Sequence, residues 1–177
     1  MSQLMTIIQL GNPILRQPAK PVENISDRQI QQLIDDLIAT AAEANGVGIA
    51  APQIAQSYQI FIVASHPSSR YPDAPDMEPT AIINPQIINH SEEMVKGWEG
   101  CLSIPGIRGL VPRYQEIEVT YTDRNGLLKK QSFTDFVARI FQHEIDHLHG
   151  ISFLDRLVSN FDIITEQEYQ KRVLTRE

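Results

Sequence analysis

The stretch "FQHEIDHLHG", residues 141–150, places the strongest constraint on what this chain can fold into. Residues four apart lie one above the other on a helix, so His143 and His147 can present two imidazole nitrogens to one metal ion. Glu144 follows the first histidine and can reach a water held by that ion without itself binding the metal. The H-E-x-x-H spacing therefore predicts a helix that carries two metal ligands and a general base.

The residues around this motif favour a metal site over a helix that carries two histidines by chance. They are apolar enough for a buried helix: Phe136, Val137, Ile140, Phe141, Ile145 and Leu148. Burying two histidines and two acids, Glu144 and Asp146, without partners is unfavourable, and a metal ion would satisfy them. Phe136 and Ile140 precede His143 by seven and three positions, so they share its face and form the floor of an apolar pocket beside the metal.

A catalytic zinc-type site uses three protein ligands and leaves one position open, so a third ligand is needed. The longer pattern that ends in a third histidine fails, because Phe153 occupies that position. Glu166 and Glu168 lie at a suitable distance beyond His147, as in a small metallopeptidase. Cys101, in "GWEGCLSIPG", is the other candidate; a lone cysteine is commonly a small buried apolar residue, but its thiolate would complete a Cys-His-His site. Both kinds of ligand remain open on spacing alone.

The segment "GVGIAAPQI", residues 46–54, is the third informative feature. Gly46 and Gly48 allow the backbone to approach another group closely, but the segment matches neither the phosphate-loop pattern nor the dinucleotide-binding pattern. Gln53 is a polar side chain in an apolar run. It is either a buried amide satisfied by the backbone or a hydrogen-bond donor to a substrate oxygen.

Hydrophobic periodicity predicts two long helices. Ser26 and Gln29 have the spacing of a capping box, which opens an amphipathic helix over about residues 27–44. The second helix carries the histidines and runs from Thr134 or Asp135, as N-cap, to about residue 149. A glycine follows the end of each helix, as is common at helix C-termini.

The remaining segments predict strands and a C-terminal helix. Strands are expected over residues 58–65, 81–90, 92–98, 116–123 and 127–133. Asn125-Gly126 predicts a type I′ turn between the last two of them. Thr165 and Glu168 have the capping-box spacing for a helix over about residues 166–174. Antiparallel hairpins without regular strand–helix alternation predict an α+β fold and argue against a doubly wound sheet.

Length, charge and cysteine content argue against several classes of protein. A chain of 177 residues fits one domain, residues 1–177, and its net charge of -7 argues against direct nucleic-acid binding. We expect no membrane association, because no apolar window is long enough to cross a bilayer and the first residues do not read as a secretory signal. The single cysteine excludes an internal disulfide and suits a reducing, cytoplasmic location, where a thiol can bind a metal.

Three segments, in this order, resemble the motifs of peptide deformylase. They are "GVGIAAPQ" at residues 46–53, "EGCLS" at residues 99–103 and "QHEIDH" at residues 142–147. The resemblance extends to "LGNPILRQPAKPV" near the start and continues to about Leu157. It implies an α+β fold in which antiparallel β-sheets pack around a central H-E-x-x-H helix, with one helix before it and one after it.

The resemblance also implies roles for the matching positions. The metal ligands are Cys101, His143 and His147, and the ion is one divalent metal, iron(II) natively, with zinc, nickel or cobalt as substitutes. Glu144 acts first as general base and then as general acid. The Gln53 side chain and the backbone N–H of Leu102 form the oxyanion hole. Gly48 and Gly100 lie where the substrate backbone would pair.

The reaction that the resemblance implies is removal of the formyl group from the formylmethionine of newly synthesised polypeptides, at the ribosome, with release of formate. An apolar pocket formed by Val47, Phe136 and Ile140 would accept the methionine side chain. Two alternatives remain: a small metallopeptidase with Glu168 as third ligand, and a non-catalytic module stapled by a metal. The second is disfavoured because structural sites normally have four protein ligands.

Glu99 and Arg113 flank the Cys101 segment and carry opposite charges. One hypothesis is that they form a buried ion pair that holds the cysteine loop in place. The alternative is that both are ordinary surface charges.

Overall fold

The computed structural model describes residues 2–68 and 71–174 of the chain. Its helices are α1 (Arg28–Glu43), α2 (Asp135–Leu148) and the short α3 (Glu166–Tyr169), which continues as a π-helical turn at Gln170–Leu174. Its strands are β1 (Gly48–Ala50), β2 (Ile60–Val63), β3 (Thr80–His90), β4 (Met94–Cys101), β5 (Ile104–Tyr114), β6 (Glu116–Thr122), β7 (Leu128–Thr134) and β8 (Ile163–Thr165). All pairings between these strands are antiparallel, which confirms the α+β fold class.

The strands form two sheets that share the helix of the histidines. The larger sheet has the order β1-β2-β3-β6-β7, and the smaller has the order β4-β5-β8. Helix α2 packs against β1, β2, β6 and β7 of the larger sheet and against β5 of the smaller one, and ten of its 14 residues are buried. Helix α1 packs against β1 and β2 through its apolar face. No helix among the described residues combines the length and the apolarity needed to cross a membrane.

Helix α1 begins one residue later than its capping pattern predicts. Asp27 is the N-cap, and its carboxylate accepts a hydrogen bond from the backbone N–H of Gln29 at 2.7 Å. The Ser26 hydroxyl instead donates to Asn24, so the predicted Ser26 capping box is wrong. Aspartate and serine are comparable N-cap residues, and sequence alone does not choose between two adjacent candidates.

Helix α2 begins directly where β7 ends. Thr134 is the N-cap, and Asp135, the first helical residue, has a φ of 51°, a left-handed conformation that is uncommon outside glycine. Two hydrogen bonds to Gln115 hold it there: its backbone N–H donates to the carbonyl oxygen at 2.8 Å, and its carboxyl accepts from the amide at 3.1 Å. The helix ends at Leu148, followed by Gly150 with a φ of 73°, as the sequence predicts.

Strand β5 was not predicted from the sequence. Its segment contains Pro105 and Pro112, and proline normally argues against a strand interior. Strand β8 pairs with β5 only from Ile107 to Gly109, so Pro112 has one neighbouring strand, β4. Pro105 lies in the irregularity between Ile104 and Arg108, where neither register gives it a partner. The two-residue turn Leu102–Ser103 joins β4 to β5 and sets Cys101 at the end of its strand.

The turn between β6 and β7 is not the predicted type I′ turn. That type requires a positive φ at both central residues, and only Gly126 has one, at 81°. The backbone N–H of Gly126 donates to the Asp123 carbonyl oxygen at 3.0 Å, and the Asp123 carboxylate accepts from the Asn125 and Leu127 N–H groups, each at 2.9 Å. The loop is a type I turn followed by a left-handed glycine, and the Asp123 side chain stabilises it.

The C-terminal helix is shorter than predicted. The Thr165 hydroxyl accepts a hydrogen bond from the Glu168 N–H at 3.2 Å, so the predicted cap is confirmed. Only Glu166–Tyr169 is α-helical, however, and the rest of the predicted span to Leu174 is the π-helical turn.

Candidate active site

Strand β4 and helix α2 bring together three side chains that could hold a metal ion. Cys101 is the last residue of β4, while His143 and His147 lie one turn apart on α2. All three are buried, and their ligand atoms lie within 4.8 Å of one another. The Cys101 Sγ and His147 Nε2 atoms are 3.3 Å apart. Neighbouring ligands of a tetrahedral ion are separated by roughly 3.5 Å when each bonds at ~2.0–2.3 Å, so this pair is spaced to share one ion.

The surroundings of the Cys101 thiol favour its thiolate form. Burial alone would raise the pKa of this thiol, but the nearby rings of His147 and His143 outweigh that effect and lower the pKa to about 5. The Gln53 amide nitrogen also approaches the sulfur, at 3.5 Å. Because metals are bound by the thiolate and not by the thiol, these neighbours prepare Cys101 to act as a ligand.

Glu99 orients the ring of His143. Its Oε2 atom accepts a hydrogen bond from His143 Nδ1 at 2.9 Å, which leaves the Nε2 atom of that ring for a metal. Two nitrogens of Arg113 donate to the same carboxylate at 2.9 and 3.0 Å, and Arg139 donates to it at 2.9 Å. Burial would raise the pKa of Glu99, but Arg113 and His143 hold it well below its usual range, so the carboxylate stays ionised.

Arg113 also links Glu99 to a second buried acid. It donates to Asp146 Oδ2 at 2.6 Å, and Arg156 donates to both oxygens of Asp146, at 3.1 and 2.6 Å. The side chains of Glu99, Arg113 and Asp146 are each no more than 5% exposed. The hypothesis that Glu99 and Arg113 form a buried ion pair is therefore confirmed.

Replacing Arg113 by alanine is expected to lower the free energy of unfolding by about 3–5 kcal/mol, because two buried carboxylates lose their shared partner. Arg124→Ala is the matched control: Arg124 pairs with Asp35 at the surface, with side chains 39% and 47% exposed. Its loss is expected to change the free energy by less than about 1 kcal/mol. Urea unfolding measures both variants. Equal stability of Arg113→Ala and the unaltered protein would show that the buried network contributes nothing to the fold.

Glu144 is buried beside the three candidate ligands, and one of its carboxyl oxygens lacks a partner in the part of the chain that the structure describes. No group among the described residues forms a hydrogen bond with Oε2, and burial raises the pKa of this carboxyl to about 7. A β-carbon at Gly48 would lie 2.6 Å from Glu144 Oε1, so any larger residue there would require the carboxyl to move from this position. A buried carboxyl oxygen without a partner is unfavourable for folding, and such oxygens are typical of groups that take part in acid–base chemistry.

The amide of Gln53 is held in one orientation. Its Oε1 atom accepts a hydrogen bond from the Ala50 N–H at 2.8 Å, and its Nε2 atom donates to the Ser103 hydroxyl at 3.2 Å. The same nitrogen lies 3.5 Å from the Cys101 sulfur and so faces the ligand cluster. The Gln53 side-chain oxygen thus accepts a hydrogen bond from the backbone, as one of the two interpretations of the sequence predicted. The action of the nitrogen on a substrate oxygen stays a prediction.

Comparison with known proteins assigns these residues to a family. A model of the polypeptide deformylase family matches residues 4–161, most of the chain. The chain belongs to the peptide deformylase family. The family membership predicted from the three motifs is therefore confirmed, and all three motifs lie within the matched residues.

Individual deformylases are similar over nearly their whole length. Peptide deformylase 2 of Nostoc sp. is 71% identical over 171 residues, which cover 97% of this chain and 96% of that protein. The class I type b peptide deformylase of Acinetobacter baumannii, solved with Met-Ala-Ser bound, has a TM-score of 0.86 at 45% identity and covers 89% of this chain and 100% of its own. The peptide deformylase of Synechococcus elongatus, solved in complex with actinonin, has a TM-score of 0.79 at 36% identity. The match covers 89% of this chain and 81% of that one.

The deformylase cleft brings together all but one of the eleven residues to which the sequence assigns a site role. Those that line it are Val47, Gly48, Gln53, Gly100, Cys101, Leu102, Phe136, Ile140, His143 and Glu144. The exception is His147, whose ring contacts the Cys101 sulfur. Residues from three separate segments of the chain, 47–53, 100–102 and 136–147, therefore meet at one cleft, although the role of each of them remains a proposal.

Sequence reasoning missed three other residues that line the cleft, namely Tyr71, Trp98 and Arg139. Arg139 precedes His143 by one helical turn, so the same spacing argument that found Ile140 could have found it. Trp98 ends a segment predicted as a strand, next to the cysteine motif. Tyr71 lies in the connection between β2 and β3, where no periodic pattern marks a side chain as part of a site.

Glu168, the alternative third ligand, is not part of the cluster. Its carboxylate forms ion pairs with Lys171 at 3.4 Å and with Arg172 at 3.0 Å. Within residues 2–68 and 71–174, the group of Cys101 with the two histidines is the one set of three such side chains close enough to hold an ion. The structure thus does not favour Glu168 as a metal ligand.

Proposed function

We propose that this deformylase removes the N-formyl group from the N-terminal formylmethionine of newly synthesised polypeptides and releases formate. The observation that carries the proposal is the Oε2 atom of the buried Glu144 carboxyl, which has no partner among the described residues and lies beside the Cys-His-His cluster in a cleft with apolar walls. The Acinetobacter baumannii relative holds Met-Ala-Ser. A peptide that begins with methionine is what deformylation of a formylmethionyl peptide leaves behind.

The donor set fits one divalent metal ion. Cys101, His143 and His147 would hold it, and three protein ligands leave a coordination position open. When bound, the ion supplies Lewis acidity, which polarises a carbonyl group and lowers the pKa of a water. We propose iron(II) as the native ion, on the resemblance to the family; zinc, nickel and cobalt suit the same donors.

Glu144 moves the proton in the proposed reaction. As general base it takes a proton from the attacking water, whose oxygen adds to the formyl carbon. As general acid it then gives this proton to the amine nitrogen while the bond between carbon and nitrogen breaks. The products are formate and a free amino terminus. The support is that its Oε2 atom is not engaged by any described residue and that Glu144 lines the cleft.

Gln53 and Leu102 stabilise the negative charge that develops on the formyl oxygen. The donors are the Gln53 side-chain nitrogen and the backbone N–H of Leu102, which lies in the turn after the cysteine. The hydrogen bond from Ala50 to the Gln53 oxygen fixes the amide before substrate binds. Donors that are already oriented stabilise such a charge without reorganisation during the reaction.

The substrate peptide is proposed to bind as an extended strand. Strands β1 and β4 are each at an edge of their sheet, and Gly48 and Gly100 on these strands line the cleft. An extended peptide can pair with such unpaired backbone edges. The methionine side chain would enter the apolar part of the cleft, at Val47, Phe136 and Ile140.

We propose that residues 1–177 act as a single catalytic domain with the H-E-x-x-H helix at its centre. The support is that α2 contacts strands of both sheets and is buried over most of its length. The proposed substrate arises where polypeptides are made. We therefore propose that the enzyme acts in the cytoplasm on nascent formylmethionyl chains at the ribosome.

Formate release tests the proposed function. Protein prepared without oxygen, which protects an oxidisable ion, is expected to release one formate per molecule of formyl-Met-Ala-Ser and to leave acetyl-Met-Ala-Ser intact. Mass spectrometry of the remaining peptide distinguishes loss of the formyl group from cleavage of the Met–Ala bond, which a metallopeptidase would cut. Absence of formate with metal-loaded protein would reject the proposal.

A further inference from the structure

The C-terminal arm, defined as residues 163–174, lies beyond the residues matched by the family model, which end at residue 161. The arm starts with β8, which pairs with residues 107–109 of β5, and continues into α3. Under it lies Arg108, whose side chain is 0% exposed. An arginine is rarely buried to this extent unless its charge and its donors are satisfied.

The partners of Arg108 come from the arm and from the loop before β3. Two of its nitrogens donate to the two carboxylate oxygens of Glu166, at 2.6 and 3.1 Å, in a fork-like pair. The third nitrogen donates to the Tyr71 hydroxyl at 2.9 Å. Its guanidinium carbon lies 5.0 Å from the centre of the Tyr71 ring and 4.5 Å from that of Tyr169. Arg108 therefore connects the arm to Tyr71.

Two cleft residues are in contact with this assembly. Tyr71 packs against Phe136 of the methionine pocket, with ring centres 5.0 Å apart. Trp98 packs against Tyr169 of the arm, with ring centres 5.9 Å apart. Tyr71 and Trp98 both line the cleft. The arm thus supports the wall of the cleft at two places, although none of its residues lines the cleft itself.

We propose that the C-terminal arm sets the width of the methionine pocket, with Arg108 and Glu166 as positioning residues that act through Tyr71. The inference rests on the proposed deformylase function. Without the Glu166 carboxylate, the buried guanidinium loses its counter-ion and has to move toward water. Tyr71 then loses the hydrogen bond from Arg108, and the wall that it forms beside Phe136 is held less firmly. Binding of a long apolar side chain suffers, whereas the groups that act on the formyl carbon are unchanged.

The test compares Glu166→Ala with Glu168→Ala in the full chain. Glu168 lies on the same short helix, but it pairs only within the arm among the contacts described above. In Glu166→Ala the ratio of kcat/KM for formyl-Met-Ala-Ser to that for formyl-Ala-Ala-Ser is expected to fall by about tenfold, as for loss of one contact in an apolar pocket. The fall should appear in KM, with kcat nearly unchanged, because binding and not chemistry is weakened. Glu166→Gln, which keeps one acceptor oxygen, should lie between Ala and the unaltered protein.

Fluorescence supplies a readout that does not depend on turnover. Trp98 is the single tryptophan of the chain, so its emission reports on the packing of Tyr169 against it. Emission is expected to change in Glu166→Ala and to stay the same in Glu168→Ala. Unchanged selectivity in Glu166→Ala and Glu166→Gln, in an enzyme that releases formate normally, would overturn this inference and leave the proposed function intact. Absence of formate release in the unaltered protein would instead overturn the proposed function.

Discussion

Replacing Glu144 by glutamine is expected to lower kcat by about 10²–10⁴-fold, the range over which a positioned acid–base group contributes. Glutamine has nearly the same shape, so the three ligands keep their places, but its amide cannot accept the proton of the attacking water. Because the loss concerns the chemical step, KM should change little. The measurement is formate release under saturating formyl-Met-Ala-Ser, with metal content determined on the same samples.

Glu43→Gln is the matched control for this variant, since Glu43 is an exposed glutamate at the end of α1. It should retain the full kcat. If Glu144→Gln kept activity within a few-fold of the unaltered protein, Glu144 would not carry the proton. A Glu144→Gln protein with full metal content and no activity would argue strongly against the non-catalytic, metal-stapled module, since such a module has no use for this carboxyl.

Replacing Cys101 by alanine is expected to abolish stable metal binding and, with it, formate release. Two histidines remain, and zinc-type catalytic sites use three protein ligands. The loss should exceed the 10–100-fold drop in affinity that is typical when a group supporting a ligand is removed. Metal content after dialysis and affinity from competition with a chelator both report on the change.

Glu168→Ala is the control that separates the two candidate third ligands. Because Glu168 pairs with Lys171 and Arg172 in the arm, its removal should leave metal content and kcat unchanged. The opposite pattern, with metal retained by Cys101→Ala and lost from Glu168→Ala, would restore the metallopeptidase interpretation. Circular dichroism of both variants checks that neither result reflects unfolding.

Features that obey local rules were predictable from the sequence. The bounds of α1 and α2 differ from the predicted ones by about a residue, because apolar spacing and a glycine after the last turn specify them. The shared face of Phe136, Ile140 and His143 follows from helix geometry in the same way. For the site, these rules identify the two histidines proposed as ligands and the glutamate proposed as base, since all three lie on one helix.

Features that depend on long-range pairing were not predictable from spacing. Cys101 lies close to the histidines because the β4–β5 hairpin places the end of β4 beside α2. Strand β5 could not be predicted, since its two prolines argue against a strand. Spacing alone left both Cys101 and Glu168 open as candidates, and it was the resemblance to a family that favoured the cysteine. Tyr71 could not be found, since it contacts Phe136 from a loop without a periodic pattern and its hydroxyl accepts from Arg108, which is distant in the sequence.

The Oε2 atom of Glu144, which has no partner among the described residues, also affects how this chain would respond to selection for thermal stability. An apolar side chain of similar size would fill the same space without a buried, unsatisfied carboxyl, and so would favour the folded state. Substitutions in an active site commonly increase the stability of the protein while they decrease its catalytic activity. We therefore expect a variant library selected only for thermal stability to accumulate apolar replacements of Glu144 that have lost activity. Such a selection has to include an assay of enzymatic activity.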